Sequence, residues 1–156
     1  TLINFKPVDE TAISQLMAVE TACHSHPWTL NTMSSCIGGR YFNVAAFDES
    51  SMIGFYIGEK AGPDFTLMDI CVTPSHQGKG IARQLLAQFI EYGKQQNAEN
   101  LFLEVRESNT RAIALYENAG FTEMSVRKNY YPSDNPAKNG FEDAILMGMA
   151  LGLNFS

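Results

Sequence analysis

Glycines and basic residues meet where a predicted strand gives way to a predicted helix, and this combination can bind a phosphate group. Gly78 and Gly80 let the backbone approach an anion closely, because glycine carries no Cβ. The N–H groups in the first turn of the helix have no partner within that helix and can donate to phosphate oxygens. Lys79 and Arg83 add positive charge. On the glycines alone, a tight turn without a ligand is an equally good interpretation.

The two most common nucleotide-binding motifs do not fit this segment. Residues 74–83 lack the Gly-Lys-Ser/Thr ending of a nucleotide P-loop, and they lack the third glycine of a dinucleotide fingerprint. The segment therefore predicts an anion site that is neither of these two.

A carboxylate within an apolar strand is the second candidate for chemistry. Glu104 lies between Leu103 and Val105, in a strand predicted for Leu101–Arg106. A charge is costly there unless it is paired or faces a wet cleft, and partial desolvation makes a carboxylate a better proton acceptor. Glu104 is therefore a candidate general base. An ion pair with Arg106, on the same strand face, is the alternative interpretation.

The elements that position these residues follow from the spacing of apolar residues. Asp9 or Thr11, and later Asn109, are predicted helix caps, because their side-chain oxygens accept from unpaired N–H groups. The predicted strands are Leu2–Lys6, Tyr41–Phe47, Met52–Glu59 with Ile53, Phe55 and Ile57 alternating on one face, Phe65–Val72, Leu101–Arg106, Thr122–Lys128 and Asp143–Leu151. Four helices are predicted. The first follows Asp9, the second starts at Thr29 with Leu30 and Met33 on one side, the third spans about Gly80–Gln96, and the fourth runs from Asn109 to Gly120. The segment Ser133–Gly140 is a predicted loop.

This order of elements predicts an α/β (α+β) fold in a single domain of residues 1–156. Several hairpins and one strand–helix–strand centre indicate a mixed, mostly antiparallel sheet flanked by helices. The strands Phe65–Val72 and Leu101–Arg106 are joined by a helix, so they should lie parallel at the centre of the sheet.

The composition excludes several classes of protein. A hydrophobic fraction of 45% provides material for a core, and a net charge of −6 argues against general nucleic-acid binding. Three cysteines do not suggest a disulfide framework, and no apolar run approaches the ~20 residues that span a bilayer. We expect a cytoplasmic protein with no membrane or nucleic-acid partner.

The segment 77–82, which reads Gln-Gly-Lys-Gly-Ile-Ala, resembles the coenzyme loop of the GNAT superfamily of N-acetyltransferases, Gln/Arg-x-x-Gly-x-Gly/Ala. The resemblance implies that the loop N–H groups hold the pyrophosphate of acetyl-coenzyme A. It also implies that the preceding strand end pairs with the pantetheine amides. The implied coenzyme-binding residues are Ile70, Cys71, Val72, Gln77, Gly78, Lys79, Gly80, Ile81, Ala82, Arg83, Asn109 and Tyr116.

Residues 103–121 resemble the next motif of the same superfamily: a strand, an Asn, and a helix that ends in Tyr-x-x-x-Gly-Phe. The resemblance implies that Tyr116 is the general acid for the departing thiolate. Proton transfer from a Tyr of pKa near 10 to a thiol of pKa near 8.5 is uphill by about 2 kcal/mol, but a hydrogen bond to the developing charge still stabilises the transition state. The alternative is that Tyr116 only packs against the sheet, with its hydroxyl bonded to the backbone.

Within the superfamily, three stretches resemble the RimI-type ribosomal-protein alanine N-acetyltransferases: residues 26–29, 103–109, and 127–132 followed by 142–144. This branch implies acetylation of the N-terminal alanine of a small-subunit ribosomal protein, with Glu104 as the base and Tyr116 as the acid. An α-amine, of pKa near 8, is easier to deprotonate than a Lys side chain by roughly 3 kcal/mol. The alternatives are acetylation of a small amine or a Lys side chain, and an acyl-coenzyme A-binding module without catalysis.

The remaining candidates are weaker. Trp28, Tyr130 and Tyr131 are candidates for peptide binding, although the two tyrosines could equally pack the last hairpin. Cys23, His24 and His26 form an incomplete ligand set for zinc, so no metal is expected. Cys71, at an apolar strand end, is interpreted as a core residue rather than a nucleophile.

Overall fold

One sheet of seven strands organises the molecule. The computed structural model describes residues 2–152, so residue 1 and residues 153–156 of the predicted domain lie outside the described part. The strands stand in the order β1-β2-β3-β4-β5-β7-β6, and every neighbouring pair is antiparallel except β4–β5. They are β1 Ile3–Lys6, β2 Tyr41–Asp48, β3 Ser51–Ala61, β4 Asp64–Val72, β5 Asn100–Arg106, β6 Thr122–Pro132 and β7 Phe141–Ala150. The predicted mixed sheet with a central parallel pair is confirmed.

Four α-helices flank the sheet within the described residues, and their caps follow the prediction. They are α1 Ile13–Cys23, α2 Leu30–Ser35, α3 Ile81–Gln95 and α4 Thr110–Ala119. The Asp9 carboxylate accepts from the N–H of Thr11 and starts a short 3-10 turn that leads into α1. The side chains of Thr29 and Asn109 cap α2 and α4 in the same way. In residues 2–152, no helix is long and apolar enough to cross a bilayer.

The core lies on both sides of the sheet. On one side α3 and α4 pack over strand residues that include Tyr56, Phe65 and Leu103. On the other side α1 and α2 pack over residues that include Phe55 and Ile57. Because successive strand residues point to opposite faces, β3 supplies buried side chains to both layers. The sheet is therefore sandwiched by helices along its N-terminal half.

Two details of the predicted packing were wrong. Ile53 packs with the α3 layer and not with Phe55 and Ile57, because the β2–β3 register shifts next to it and a shift of one residue reverses the face. Leu30, predicted beside Met33, is 55% exposed, while Met33 is fully buried.

The parallel strands β4 and β5 pair only along half of their length. Their register runs from Asp64 opposite Asn100 to Leu67 opposite Leu103, and no pairing follows. A register shift against β3 leaves Met68 as an extra residue in β4 at this point, and such bulges bend a strand. The two strands therefore separate beyond Leu67, and the end of β4 turns an unpaired backbone edge toward the gap.

Candidate active site

The gap between β4 and β5 opens into a cleft of about 300 Å³, which both predicted catalytic residues line and which residues 77–83 of the predicted coenzyme loop do not. Glu104, Asn109 and Tyr116 line it, together with Trp28 and Tyr131. Its other lining residues are Glu20, His24, His26, Leu67, Met68, Asp69, Ile70, Leu103, Val105, Arg106 and Pro132. A larger depression of about 630 Å³, between the start of α1 and β2, contains none of the predicted site residues.

The start of α3 has the properties of an anion site. Gly80 precedes the first helical residue with φ of 79°, and no side chain caps the N–H groups of the first turn. Gly78 also has φ of 79°, a left-handed conformation that side-chain-bearing residues rarely adopt. Lys79 and Arg83 are exposed and make no ion pair within residues 2–152. The backbone donors and the two cations therefore face solvent together, as the coenzyme loop requires.

Side chains hold this loop against the strand that precedes it. Gln77 donates from Nε2 to the carbonyl oxygen of Val72 at 3.0 Å. His76 contacts the Asp48 carboxylate at 3.0 Å, which ties the loop to the end of β2. Gln77, the first residue of the loop motif, thus has a structural role, because its hydrogen bond fixes the distance between the end of β4 and the start of α3.

Arg111 is a third cation at this loop that the sequence analysis missed. Its terminal nitrogen lies 4.0 Å from the position that a Cβ would take at Gly78. Arg111 stands in the first turn of α4, next to the cap residue Asn109. The sequence did contain an indication of the position of Arg111, because the motif at residues 103–121 places the start of this helix beside the cleft.

Glu104 lies on the cleft-facing side of β5 and is 24% exposed. Its carboxylate lies 3.4 Å from Arg127 of β6, so the alternative pairing with Arg106 is wrong. Arg106 instead contacts the buried carboxylate of Glu142 at 3.3 Å. Among the described residues, Glu104 therefore has a single ionic partner, the largely exposed Arg127, and an open side toward the cleft.

Glu142 anchors the turn between β5 and α4. Its carboxylate accepts from the backbone N–H of Ser108 at 3.1 Å and from the Ser108 hydroxyl at 2.6 Å. Burial opposes the charge, but these hydrogen bonds and Arg106 hold the pKa of Glu142 below its ordinary value. The turn fixed in this way delivers Asn109 to the cleft edge.

Tyr116 is buried except at the cleft, which it reaches from α4. Its ring packs edge-on against Phe121. Within residues 2–152 the Tyr116 hydroxyl makes no hydrogen bond, so the alternative of a backbone-bonded structural tyrosine does not hold. Burial, with smaller contributions from Asp69 and Tyr131, raises the pKa of Tyr116 above its ordinary value. The side chain therefore stays protonated and is available as a donor.

The three aromatic candidates for peptide binding separate into two groups. Trp28 and Tyr131 line the cleft, and Arg106 lies 4.6 Å from the Tyr131 ring. Burial and the nearby charge of Glu104 raise the pKa of Tyr131 to about 12. Tyr130 lies outside the cleft, is 48% exposed and stacks under Arg127 at 5.3 Å.

A cluster of polar side chains under the cleft was not recognised as a unit in the sequence. Glu20, fully buried in α1, lies next to Asp69 of β4 and His24. Cys23, His24 and Cys71 also place their side-chain heteroatoms within 4.8 Å of one another, whereas His26 pairs with the exposed Asp134. Cys71 is buried in the core as expected, and burial raises its pKa. The members of this cluster come from separate segments, so no local pattern could have joined them.

Comparison with known proteins adds independent information. The family model for acetyltransferases of the GNAT family matches residues 13–121. The chain is 36% identical over 146 residues to the ribosomal protein bS18-alanine N-acetyltransferase of Escherichia coli K12, covering 94% of this chain and 96% of that protein. It is 35% identical over 144 residues to the protein of the same name from Haemophilus influenzae, covering 92% and 96%.

Solved structures agree with these matches. The crystal structure of the ribosomal-protein-S18-alanine N-acetyltransferase from Escherichia coli superposes with a TM-score of 0.92 at 34% identity, covering 98% of this chain and 96% of that chain. Arabidopsis thaliana NAA60 in complex with acetyl-CoA superposes with a TM-score of 0.84, covering 96% of this chain and 99% of that chain. At 17% identity, the second match shows a common fold only.

Proposed function

The chain belongs to the acetyltransferase (GNAT) family, and on that premise we propose that it acetylates the N-terminal alanine of a small-subunit ribosomal protein. The observation that carries this proposal is the cleft between β4 and β5, because Glu104 and Tyr116 line it and β4, which forms one of its walls, leads through a short loop to the uncapped start of α3. The relatives that act on bS18 match the chain along nearly its whole length, which supports the choice of acceptor. Ribosomal proteins are made in the cytoplasm, and we infer that the enzyme acts there.

The residues of the coenzyme side fit acetyl-coenzyme A. The N–H groups of Ile81, Ala82 and Arg83 in the first turn of α3 would receive the pyrophosphate oxygens, with Lys79, Arg83 and Arg111 neutralising their charge. The unpaired edge of β4 at residues 70–72 would pair with the pantetheine amides as an added strand. This places the thioester in the gap, close to the side chains that line it.

Glu104 is proposed as the general base. An α-amine reaches the enzyme mostly as the ammonium ion near neutral pH, and it must lose a proton before its nitrogen can attack. Glu104 is half-buried, faces the cleft and has one ionic partner, Arg127. It can take this proton from the ammonium, directly or through a water molecule, before the attack. The new N–C bond then forms, the C–S bond breaks, and the second proton that the nitrogen loses ends on the departing sulfur, which leaves as the thiol.

Tyr116 is proposed as the donor to the leaving sulfur. The departing thiolate carries the negative charge that develops as the C–S bond breaks. A buried hydroxyl with no other hydrogen-bond partner in the described chain can donate to that sulfur. Because its pKa is raised, full proton transfer is more uphill than for an ordinary tyrosine. Stabilisation by the hydrogen bond is therefore its main contribution.

The acceptor can be tested with a matched set of peptides and a thiol-release assay. The first peptide begins with Ala and has no Lys, the second is the same peptide with a blocked α-amine, and the third has a blocked α-amine and one internal Lys. We expect turnover on the first peptide alone. Equal turnover on the third peptide would instead indicate a Lys acetyltransferase, and binding of coenzyme A without turnover on any amine would indicate a binding module.

A further inference from the structure

Two neighbouring carboxylates at the wall of the cleft, those of Glu20 and Asp69, each keep one buried oxygen without a partner in the described chain. Within residues 2–152, Oε1 of Glu20 and Oδ2 of Asp69 are the buried side-chain oxygens that have no hydrogen-bond partner. The second oxygen of each carboxylate is engaged, since Glu20 Oε2 accepts from the backbone N–H of Trp28 at 2.9 Å and Asp69 Oδ1 contacts His24 Nε2 at 3.1 Å. His24 Nε2 lies 3.7 Å from Glu20 Oε1, which is too far for a hydrogen bond.

Two neighbouring carboxylates whose oxygens are buried cannot both be ionised without a large cost. A proton shared between Glu20 Oε1 and Asp69 Oδ2 removes this repulsion and gives both oxygens a partner. With His24 positively charged, the three side chains then sum to zero net charge. Burial, followed by the hydrogen bond with Asp69, raises the pKa of Glu20 to about 9.

The shared proton connects two parts of the active site that the chain order does not connect. Asp69 belongs to the bulged end of β4, which forms one wall of the cleft. The N–H of Trp28 belongs to the loop between α1 and α2, where the Trp28 ring also lines the cleft. Glu20 accepts from the Trp28 N–H, and with the proton shared it is also hydrogen-bonded to Asp69, so it sets the position of the loop relative to the strand.

We propose that Glu20 is a positioning residue whose carboxyl group, by sharing one proton with Asp69, holds the Trp28 loop against the separated end of β4. In this position the loop forms the wall of the cleft that would contact the acceptor peptide. The role of Glu20 in peptide binding therefore rests on the proposed function. Ionisation of both carboxyl groups breaks the connection and releases the loop.

Other ionisable groups around Glu20 respond in different pH ranges. At the end of α1, a hydrogen bond from Cys71 lowers the pKa of Cys23 to about 6. Burial opposes the charge on His24, which follows Cys23, but the contacts of His24 with Asp69 and Cys23 raise its pKa to about 10. From β4, Cys71 faces the same group, and its pKa is raised by burial. Tyr116 approaches Asp69 from α4, with a raised pKa. The loss of the Glu20 proton therefore falls between the changes at Cys23 and His24.

Trp28 is the single tryptophan of the chain, so its fluorescence reports the loop directly. The test compares the wild type with Glu20→Gln, Glu20→Ala and a control, Glu10→Gln, which makes the same chemical change at an exposed position before α1. In Glu20→Gln the amide oxygen still accepts from Trp28 and the NH₂ group donates permanently to Asp69.

We expect the Trp28 emission of the wild type and of Glu10→Gln to change with a midpoint near pH 9, while circular dichroism shows a folded chain. Glu20→Gln should lack this transition, and Glu20→Ala should have the high-pH emission already at neutral pH. A transition of equal size in Glu20→Gln would overturn the proposal, even if Glu20→Ala fails to fold. Stoichiometric zinc in the purified protein would overturn it as well, since a metal ion would replace the shared proton.

Kinetics then measure the effect on the acceptor. For the Ala-starting peptide, KM of the wild type should rise about tenfold above pH 9, KM of Glu20→Gln should not, and the affinity for coenzyme A should be equal in both. A rise of KM in Glu20→Gln as large as in the wild type would contradict the role in peptide binding. If no variant acetylates the peptide, the proposed function fails, and the fluorescence result still decides the role of Glu20.

Discussion

The two proposed ligand sites offer different kinds of groups. On the coenzyme side, residues 77–83 offer backbone N–H groups from an uncapped helix, and most of their side chains are exposed. On the acceptor side, the groups are side chains: Glu104 with Arg127, and the set Glu20, Asp69 and His24, of which His24 is 36% exposed. A backbone site depends on conformation, whereas a side-chain site depends on residue identity and on protonation.

Because of this difference, we expect side-chain substitutions to have unequal effects on the two sides. Replacing a surface side chain on the coenzyme side removes one contact among several and leaves the backbone donors in place. Replacing a side chain on the acceptor side removes a group that no neighbour can supply, or leaves a buried partner without its hydrogen bond.

Glu104→Gln should reduce kcat by about 10²–10⁴-fold on an Ala-starting peptide, because the amide cannot accept the ammonium proton. The neutral side chain can still contact Arg127, so the fold and the calorimetric affinity for coenzyme A should stay unchanged. Steady-state thiol release measures the rate. A kcat within twofold of the wild type would remove Glu104 from the mechanism.

Tyr116→Phe should reduce kcat by about 10²–10³-fold, as expected for the loss of one donor to a developing negative charge. The ring and its contact with Phe121 remain, so thermal stability should change little. Tyr130→Phe is the matched control, because Tyr130 lies outside the cleft and should retain full activity. Equal rates for both variants would make Tyr116 a structural residue.

Gly80→Ala should weaken coenzyme A binding about tenfold in calorimetry. A left-handed φ of 79° costs a residue with a Cβ roughly 1–2 kcal/mol, and binding would have to restore that conformation. Gly62→Ala introduces a similar strain, at φ of 60° in the β3–β4 turn. Both variants should lose stability, but only Gly80→Ala should lose affinity; an equal affinity in the two would argue against the backbone site.

The unfolding free energy of the wild type should fall more steeply with rising pH than that of Glu20→Gln, between about pH 5 and 8. Glu20 is protonated in the folded chain, with a pKa of about 9, and ionised in the unfolded chain, where the ordinary value is 4.5. Unfolding therefore releases a proton, so stability decreases as pH rises, by about 1 kcal/mol per pH unit. Denaturant unfolding at several pH values measures the slope, and parallel curves would contradict a shared proton.

Arg111→Ala should weaken coenzyme A binding only about two- to fivefold, and less at high salt, because an exposed charge contributes little. Lys94→Ala, an exposed cation in the last turn of α3, serves as the control and should leave the affinity unchanged. A loss as large as that of Gly80→Ala would mean that side-chain charge, and not backbone conformation, dominates the coenzyme side.

The conformation of the proposed coenzyme loop could be predicted because its information is local. Gly78, Gly80 and the helix that follows are consecutive in the chain, so the strand, loop and helix form the candidate site by themselves. The parallel pairing of β4 and β5 was predicted as well, since a helical connection between neighbouring strands has few alternatives. The opening of this pair was not predicted, because a bulge at Met68 depends on the register against β3.

The ionic partner of Glu104 could not be predicted from neighbouring residues in the chain. The Arg106 partner of Glu104, which spacing along one strand suggested, was replaced by Arg127 of the strand β6. Arg127 is two strands away, and β7 lies between them. Only the assembled sheet decides which long side chains meet across it.

The order of elements, the candidate anion site at residues 77–83 and the candidates Glu104 and Tyr116 all follow from the sequence, because each depends on residues within one strand, loop or helix. That Glu20, His24 and Asp69 form one group follows only from the fold, because α1 and β4 are separated along the chain and meet only when the sheet is complete. The protonation of that group has the same origin, since a carboxyl group takes up a proton at neutral pH only where packing has removed water and placed a second carboxylate beside it.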